Sequence, residues 1–171
     1  ISVTDIDEVG NAPVITSSST FSAAENQTAV GTATATDADT SDTLTYTLTG
    51  TDASSFSINS ASGVITFNSA PDYETKATYS VTVNVSDGTN TTSQALSISV
   101  TDVNETSPVI TSSSTFNAAE NQTAVGTATA TDADTSDTLT YTLTGTDAAS
   151  LSINASSGVI TFNSAPDYET K

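Results

Sequence analysis

The sequence contains no cysteine, histidine, tryptophan or methionine, no arginine, and only two lysines, Lys76 and Lys171. Without cysteine there are no disulfides and no thiolate ligands, which leaves the compartment open. Without His or Cys, zinc, copper and haem lack their usual donors. Nucleophilic triads that need histidine are excluded. Twenty acids against two lysines give a formal net charge of -18. Nucleic acid and anionic membrane surfaces, which are bound through Lys and Arg, are therefore poor partners. No apolar run approaches the roughly 18 residues of a transmembrane helix, so no membrane insertion is expected. No leader peptide is recognisable, and in a chain that reads as an excised piece that says nothing.

What the sequence does have is repetition. PVITSSSTF begins at Pro13 and again at Pro108, 95 residues later. Residues 13–76 and 108–171 differ at only five aligned positions: Ser22/Asn117, Ser54/Ala149, Phe56/Leu151, Ser60/Ala155 and Ala61/Ser156. ISVTDIDE at 1–8 echoes ISVTDVNE at 98–105. The chain thus reads as the tail and linker of a preceding repeat (1–10), a complete repeat (11–105) and a C-terminally truncated repeat (106–171). A period this long is unlike a short-period solenoid and suits beads on a string, each with its own core.

Within a repeat the patterning is β throughout. Residues 43–50 alternate Leu44, Tyr46 and Leu48 against threonine, residues 79–88 alternate Tyr79, Val81, Val83 and Val85 against polar residues, and 96–100 alternate Leu96, Ile98 and Val100. Each run buries one face and wets the other. Further strands are expected at 14–22, 28–36, 56–59 and 64–68. Seven strands separated by turn residues predict an all-β Greek-key sandwich in each of the tandem repeats. Tyr46 and Tyr141 are expected in the core of a mid-sheet strand. The N-x-S/T triplets at Asn26, Asn84, Asn90, Asn104, Asn121 and Asn154 are what chance supplies in so Ser/Thr-rich a chain.

Sixteen of the twenty acids fall into short recurring motifs: AEN (24–26, 119–121), TDAD (36–39, 131–134), DYE (72–74, 167–169), the linkers DIDE (5–8) and DVNE (102–105), and a single SDG (86–88). Each sits at a strand end or in a loop. Loops attract acids because they are wet, and Asp forms turns. The D-x-D and D-x-E spacing is less easily dismissed. Alternate residues of an extended segment point the same way, and like charges held that close repel unless a cation lies between them. Hard oxygen donors without nitrogen or sulfur suit Ca²⁺, which takes 6–8 oxygens, better than Mg²⁺. Asp42 and Asp137 read as solvated turn residues that could also substitute as donors, and Asp52 and Asp147 as turn residues.

In this order AEN, TDAD, GVITF with DYE, SDG and DVNETSP resemble the motifs of the cadherin repeat: PEN, DAD, D-x-E, A-x-D-x-G and D-x-N-D-N-x-P. The resemblance covers the whole chain. Its Thr/Ser-rich, near-identical copies look like the cadherin-like repeats of large bacterial surface proteins. It implies an Ig-like, cadherin-like sandwich with calcium, usually three ions, at each junction between repeats. By position, the ligands would be Glu25, Asp72 and Glu74 of the upper repeat. The linker would give Asp102, the Val103 carbonyl, Asn104, Glu105 and the Thr106 carbonyl, and the lower repeat Asp132 and Asp134. These seven carboxylates carry −7 against +6 for three Ca²⁺. An earlier, partial junction would use Asp5, Asp7, Glu8, Asn11, Asp37, Asp39 and Asp87, its geometry shifted by the extra Val9-Gly10. Glu120, Asp167 and Glu169 would be half of a third.

Three departures stand out. Thr106 replaces the linker's second Asn, Glu105 replaces an Asp, and the loop after TDAD is about two residues shorter than the family's. The function implied is structural: an extracellular, cell-surface or secreted rod stiffened by calcium, with neighbouring repeats of the same chain as partners. A carbohydrate-binding or homophilic self-association module is the alternative, but no exposed aromatic platform is evident. Paired carboxylates can hydrolyse glycosides, yet pairs recurring every 95 residues are unlike an active site, so no enzyme is expected. Adaptation to high salt would scatter the acids rather than cluster them. The second repeat, lacking equivalents of 77–101, is expected to be marginal alone or to borrow a strand such as 1–5.

Overall fold

In the computed structural model, residues 10–169 are described. The chain divides after Val103 into two compact units. All regular structure is β apart from a single 3₁₀ turn in each unit, Ala53–Ser55 and Ala148–Ser150.

The first unit contains β1 (Val14–Ile15), β2 (Thr20–Ala24), β3 (Ala29–Thr32), β4 (Ala35–Thr36), β5 (Thr45–Thr49), β6 (Phe56–Ile58), β7 (Val64–Phe67), β8 (Thr78–Ser86) and β9 (Thr91–Thr101). One sheet has the order β2-β9-β8-β5 and the other β3-β7-β6, while β1 and β4 form a short pair. Two of the expected strands are broken. Residues 14–22 turn at Ser17–Ser19, so that Val14 and Ile15 pair with β4 while Thr20–Ala24 runs parallel to β9. Residues 28–36 break at Ala33–Thr34: the Ala33 amide still meets the Gly63 carbonyl at 2.9 Å, one step beyond Thr32↔Val64, and Ala35 and Thr36 then pair with β1. A chain that switches partners part-way keeps its alternation, so alternation alone reads it as continuous.

β8 and β9 carry the structure. They pair antiparallel over nine residues, from Thr78↔Ser99 to Ser86↔Thr91. Val81, Val83, Val85, Leu96, Ile98 and Val100 point inward and are buried, as the alternation requires. The other sheet contributes Phe56, Ile65 and Phe67 to the same core. The Phe56 and Phe67 rings lie 4.5 Å apart, and both meet Tyr79 edge-on. Truncating a fully buried residue such as Leu96 to Ala costs about 2–5 kcal/mol by transfer and cavity terms.

One turn explains a repeated glycine. The Asn59 side-chain oxygen accepts the amides of Ala61 and Ser62, and Gly63 follows at φ 70°. A Cβ on Gly63 would stand 2.2 Å from the Ala33 carbonyl oxygen. Both the left-handed backbone and the close approach demand glycine. Asn154 and Gly158 reproduce this turn in the second unit.

Asp52 does more than turn the chain. Its Oδ1 pairs with Lys76 Nζ at 2.5 Å and its Oδ2 accepts the Ser80 amide at 2.8 Å, so the carboxylate anchors the start of β8. This is the one ion pair among the described residues.

The second unit holds β10 (Val109–Ile110), β11 (Ala124–Thr127), β12 (Ala130–Thr131), β13 (Leu151–Ile153) and β14 (Val159–Phe162). β11, β14 and β13 reproduce the sheet of β3, β7 and β6, including the register shift in the first strand. The segments 115–119 and 140–144, equivalent to β2 and β5, are not strands. Tyr141 therefore departs from its expected place in a mid-sheet strand. It is half-buried, and its hydroxyl accepts the Ala130 amide at 3.1 Å. In the first unit β2 and β5 are held by β9 and β8, and the described residues of the second unit contain no counterpart of either. A ladder needs both rails. Segment 1–5, the strand donor anticipated above, lies outside the described residues.

Two outcomes follow. Amides of β2 and β5 should be protected from hydrogen exchange in the dilute monomer, whereas those of 115–119 and 140–144 exchange rapidly. The exceptions are Tyr141, whose amide donates to Ala155 O at 2.9 Å, and Thr115, whose amide donates to Ser113 Oγ at 3.2 Å. Equal protection would show that another strand completes the second sheet. The second outcome concerns Asp52, whose carboxyl is held below its usual range by the Lys76 ammonium and then by the Ser80 amide. A lowered folded value contributes stability above the ordinary carboxylate range, which is lost as pH falls through it. The loss of melting temperature in Asp52→Asn should thus be full above about pH 5 and shrink as pH falls below the ordinary carboxylate range.

Candidate metal centres

At one end of the first unit, β2 runs directly into Glu25. The Glu25 amide donates to Thr101 O, at the end of β9, at 3.1 Å. Asn26 takes the left-handed conformation (φ 60°) and donates its amide to Pro71 O at 3.0 Å. This turn drives the Glu25 side chain inward, where it is 1% exposed. Its Oε1 accepts the Val103 amide at 2.7 Å and its Oε2 the Tyr73 amide at 2.8 Å. One buried carboxylate thereby joins the AEN turn, the DYE loop and the start of the linker. Glu25, Glu74 and Asp102 each bring a carboxylate oxygen within 4.8 Å of the others. Asp72 points elsewhere. It accepts the Thr75 amide at 3.0 Å and the Thr75 hydroxyl at 2.9 Å. That hydroxyl, then the amide, holds the Asp72 carboxyl below its usual range. Asp72 therefore stays outside the three-acid group in this arrangement.

At the opposite end of the same unit, Asp37, Asp42 and Asp87 approach one another within 4.8 Å. Asp39, 7% exposed, donates its amide to Asp37 Oδ1 at 3.0 Å and receives a long 3.5 Å contact from Asn11 Nδ2. Asp87 sits in the β8–β9 turn, where its Oδ1 accepts the amides of Thr89 at 2.6 Å and Asn90 at 2.5 Å. The Asn90 amide is the chief cause of its lowered pKa. Asp37 Oδ2 is a buried oxygen with no hydrogen-bond donor among the described residues. Asp42 belongs to this group, although sequence favoured a solvated turn for it. The shortened loop supplies the reason, since Asp42 N donates to Asp39 O at 3.1 Å and folds the side chain back. Asp5, Asp7 and Glu8 lie outside the described residues.

In the second unit, Asp134 is 1% exposed. Its Oδ2 accepts the amides of Glu105 at 3.1 Å and Thr106 at 2.8 Å, and the Thr106 hydroxyl at 2.8 Å. The same hydroxyl lies 2.8 Å from Asp132 Oδ1. The Thr106 amide, then its hydroxyl, holds the Asp134 carboxyl below its usual range. Asp134 Oδ1 is buried and meets no donor among the described residues. The Asn104 side-chain amide donates to Asp137 Oδ2, so the counterpart of Asp42 is again drawn in. Further along, Glu120, Asp167 and Glu169 gather within 4.8 Å, all exposed. Glu120 accepts only the Tyr168 amide among the bonds seen, at 3.2 Å.

These groups offer only hard oxygens, of which Asp37 Oδ2 and Asp134 Oδ1 are buried and meet no donor among the described residues. That donor set fits a divalent cation of the Ca²⁺ type.

Comparison with known proteins gives the relatives of this arrangement. The Cadherin domain family model matches residues 19–101. Among solved structures, a fragment of mouse cadherin-23 (EC22-24) is 27% identical with a TM-score of 0.73, covering 96% of this chain and 57% of that one. The protocadherin gammaB4 extracellular domain is 23% identical with a TM-score of 0.80, covering 95% of this chain and 31% of that one. Human protocadherin-24 EC1-2 is 24% identical with a TM-score of 0.69, covering 94% and 81%. The chain thus spans less than two thirds of the first two relatives. No curated protein sequence matches. Residues 19–101 accordingly match the Cadherin domain model, and the fold is the cadherin-like sandwich.

The bonds of Glu25 and Glu120 lead to a direct test. In chelator, Glu25→Ala leaves the part-buried amides of Tyr73 and Val103 without their acceptor and should lower stability to urea by up to about 1–3 kcal/mol per amide left unsolvated. Glu120→Ala, at the same position of an exposed copy, should cost far less. Equal losses would mean that the two Glu25 bonds contribute little.

Proposed function

We propose that this chain is part of an extracellular array of cadherin-like repeats in which Ca²⁺ at the junctions stiffens a rod or adhesive stalk. Asp134 carries the reading. It is a carboxylate 1% exposed, in a chain of net charge -18, with one buried oxygen that no donor among the described residues satisfies. Such an oxygen is costly unless a cation reaches it. On this reading Glu25, Glu74, Asp102, Asn104, Glu105, Asp132 and Asp134 hold the ions of the complete junction, with the Val103 and Thr106 carbonyls. Asp72 joins them only by releasing Thr75. Asn11, Asp37, Asp39 and Asp87, together with Asp42, serve an earlier junction, and Glu120, Asp167 and Glu169 a later one. The ion supplies positive charge shared among carboxylates that otherwise repel, so binding and junction order are linked.

Adhesion through further copies of such repeats accords with the resemblance to the desmocollin-1 ectodomain (24% identity) and to a protocadherin gammaB7 cis-dimer (22% identity), which share the fold. No helix among the described residues is long and apolar enough to cross a membrane.

Thermal unfolding and small-angle X-ray scattering of the 171-residue chain, in millimolar Ca²⁺ and in chelator, test the proposal. Calcium at about 100-fold above its dissociation constant should add about 2.7 kcal/mol per linked site. It should also lengthen and narrow the distance distribution. Asp134→Asn should reduce the calcium-induced rise in melting temperature, whereas Asp147→Asn, in the turn before the second 3₁₀ segment, should leave it intact. A melting temperature and scattering curve indifferent to calcium would reject this function.

A further inference from the structure

We infer that the Thr106 hydroxyl is a positioning group that holds Asp132 and Asp134 together as a pair prepared for a cation. The inference rests on the calcium reading above but concerns a residue to which sequence assigns only a backbone carbonyl. Two carboxylates so close in sequence repel when both are ionised, and no lysine of the described residues pairs with either. The hydroxyl lies 2.8 Å from Asp132 Oδ1 and 2.8 Å from Asp134 Oδ2, sharing its single hydrogen between them. The amides of Glu105 and Thr106 converge on that same Oδ2. Among the described residues these donors thus gather on one oxygen of Asp134, and its buried Oδ1 meets none.

The other repeat supplies an independent comparison. Asn11 precedes Pro13 by two residues, as Thr106 precedes Pro108. Its side-chain amide also reaches the second aspartate of its TDAD motif, Asp39 Oδ1, at 3.5 Å. In both repeats the amide of the second aspartate donates to Oδ1 of the first, at 3.0 and 3.2 Å. The position thus donates to the same acceptor with two different side chains. Threonine makes the shorter contact and spans both acids.

The test compares wild type, Thr106→Val, Thr106→Ala and Thr106→Ser in the full chain. Valine keeps the shape and the amide but removes the hydroxyl, and serine restores it. Thr106 is exposed, so the metal-free melting temperature should barely change. Calcium is then titrated while the Glu105 amide, which donates to Asp134 Oδ2, is followed by NMR. Loss of a hydrogen bond to a charged group should raise the dissociation constant about tenfold in the valine and alanine variants, with serine within about twofold of wild type. Wild-type affinity in the valine and alanine variants would overturn the inference while leaving the calcium reading intact. Equal weakening in serine and valine would also overturn it, because shape rather than the hydroxyl would then matter. A wild-type Glu105 signal that ignores calcium would overturn both.

Discussion

Carboxylates in this chain have almost no cationic side chains to meet. Lys76 serves Asp52, and every other acid of the described residues must be stabilised by backbone or side-chain amides, hydroxyls, water or a bound ion. The consequence is visible in Glu25, Asp72, Asp87 and Asp134, each of which accepts backbone N–H groups from a nearby loop. Charge-assisted bonds of this kind are about twice as strong as neutral ones. They fix loop conformation while satisfying only part of each carboxylate. In Glu25 and Asp87 the carboxylates also gather with other acids into three-acid groups at the two ends of the first unit. The same shortage of positive charge that makes the loops well defined makes them hungry for a cation.

That division of labour explains which parts of the site were legible in the sequence. The motifs AEN, DYE and DVNE announce their acids by spacing, and Glu25, Glu74 and Asp102 do come together. Spacing does not reveal what each carboxylate does with its two oxygens. Asp72 has the right position in D-x-E, yet Thr75 lies three residues on and captures it with both amide and hydroxyl. Asp42 stands outside any motif and reads as a turn, yet the short loop curls it back against Asp37 and Asp87. The signal for Asp42 was the missing pair of loop residues, which changes where the side chain ends up. Thr106 looked neutral because a carbonyl is the same in any residue, whereas its hydroxyl proved to be the bridging atom.

The fold shows a similar split. Alternation located β5 and β8 closely because valine, tyrosine and leucine mark one face against threonine and serine on the other. It stopped short at β9, whose first half, Thr91–Gln94, is polar on both sides and becomes a strand only through its ladder with β8. Residues 14–22 and 28–36 alternate without a break in sequence but divide in space. Hydrogen-bond partners, not side-chain faces, decide where such a strand changes sheets. The parallel pairing of β2 with β9 is equally invisible to periodicity, since the same faces would be buried in either direction.

The two copies act as an internal comparison of sequence with context. Glu25 and Glu120 stand in identical AENQTA segments, but one is 1% exposed and doubly bonded while the other is exposed. The difference lies at the end of β9: Thr101 O holds the Glu25 amide, and Val103 N–H caps its carboxylate. The same comparison separates β2 from 115–119, where the sequence TFSAA becomes TFNAA and the ladder partner is lacking. A single strand therefore does two things at once: it completes the core through Leu96, Ile98 and Val100, and its continuation into the linker bonds the buried Glu25 carboxylate. Folding of that strand and assembly of the acidic group cannot be separated. A cation that favours the assembled group must also favour the folded strand, because the free energy of one is part of the other.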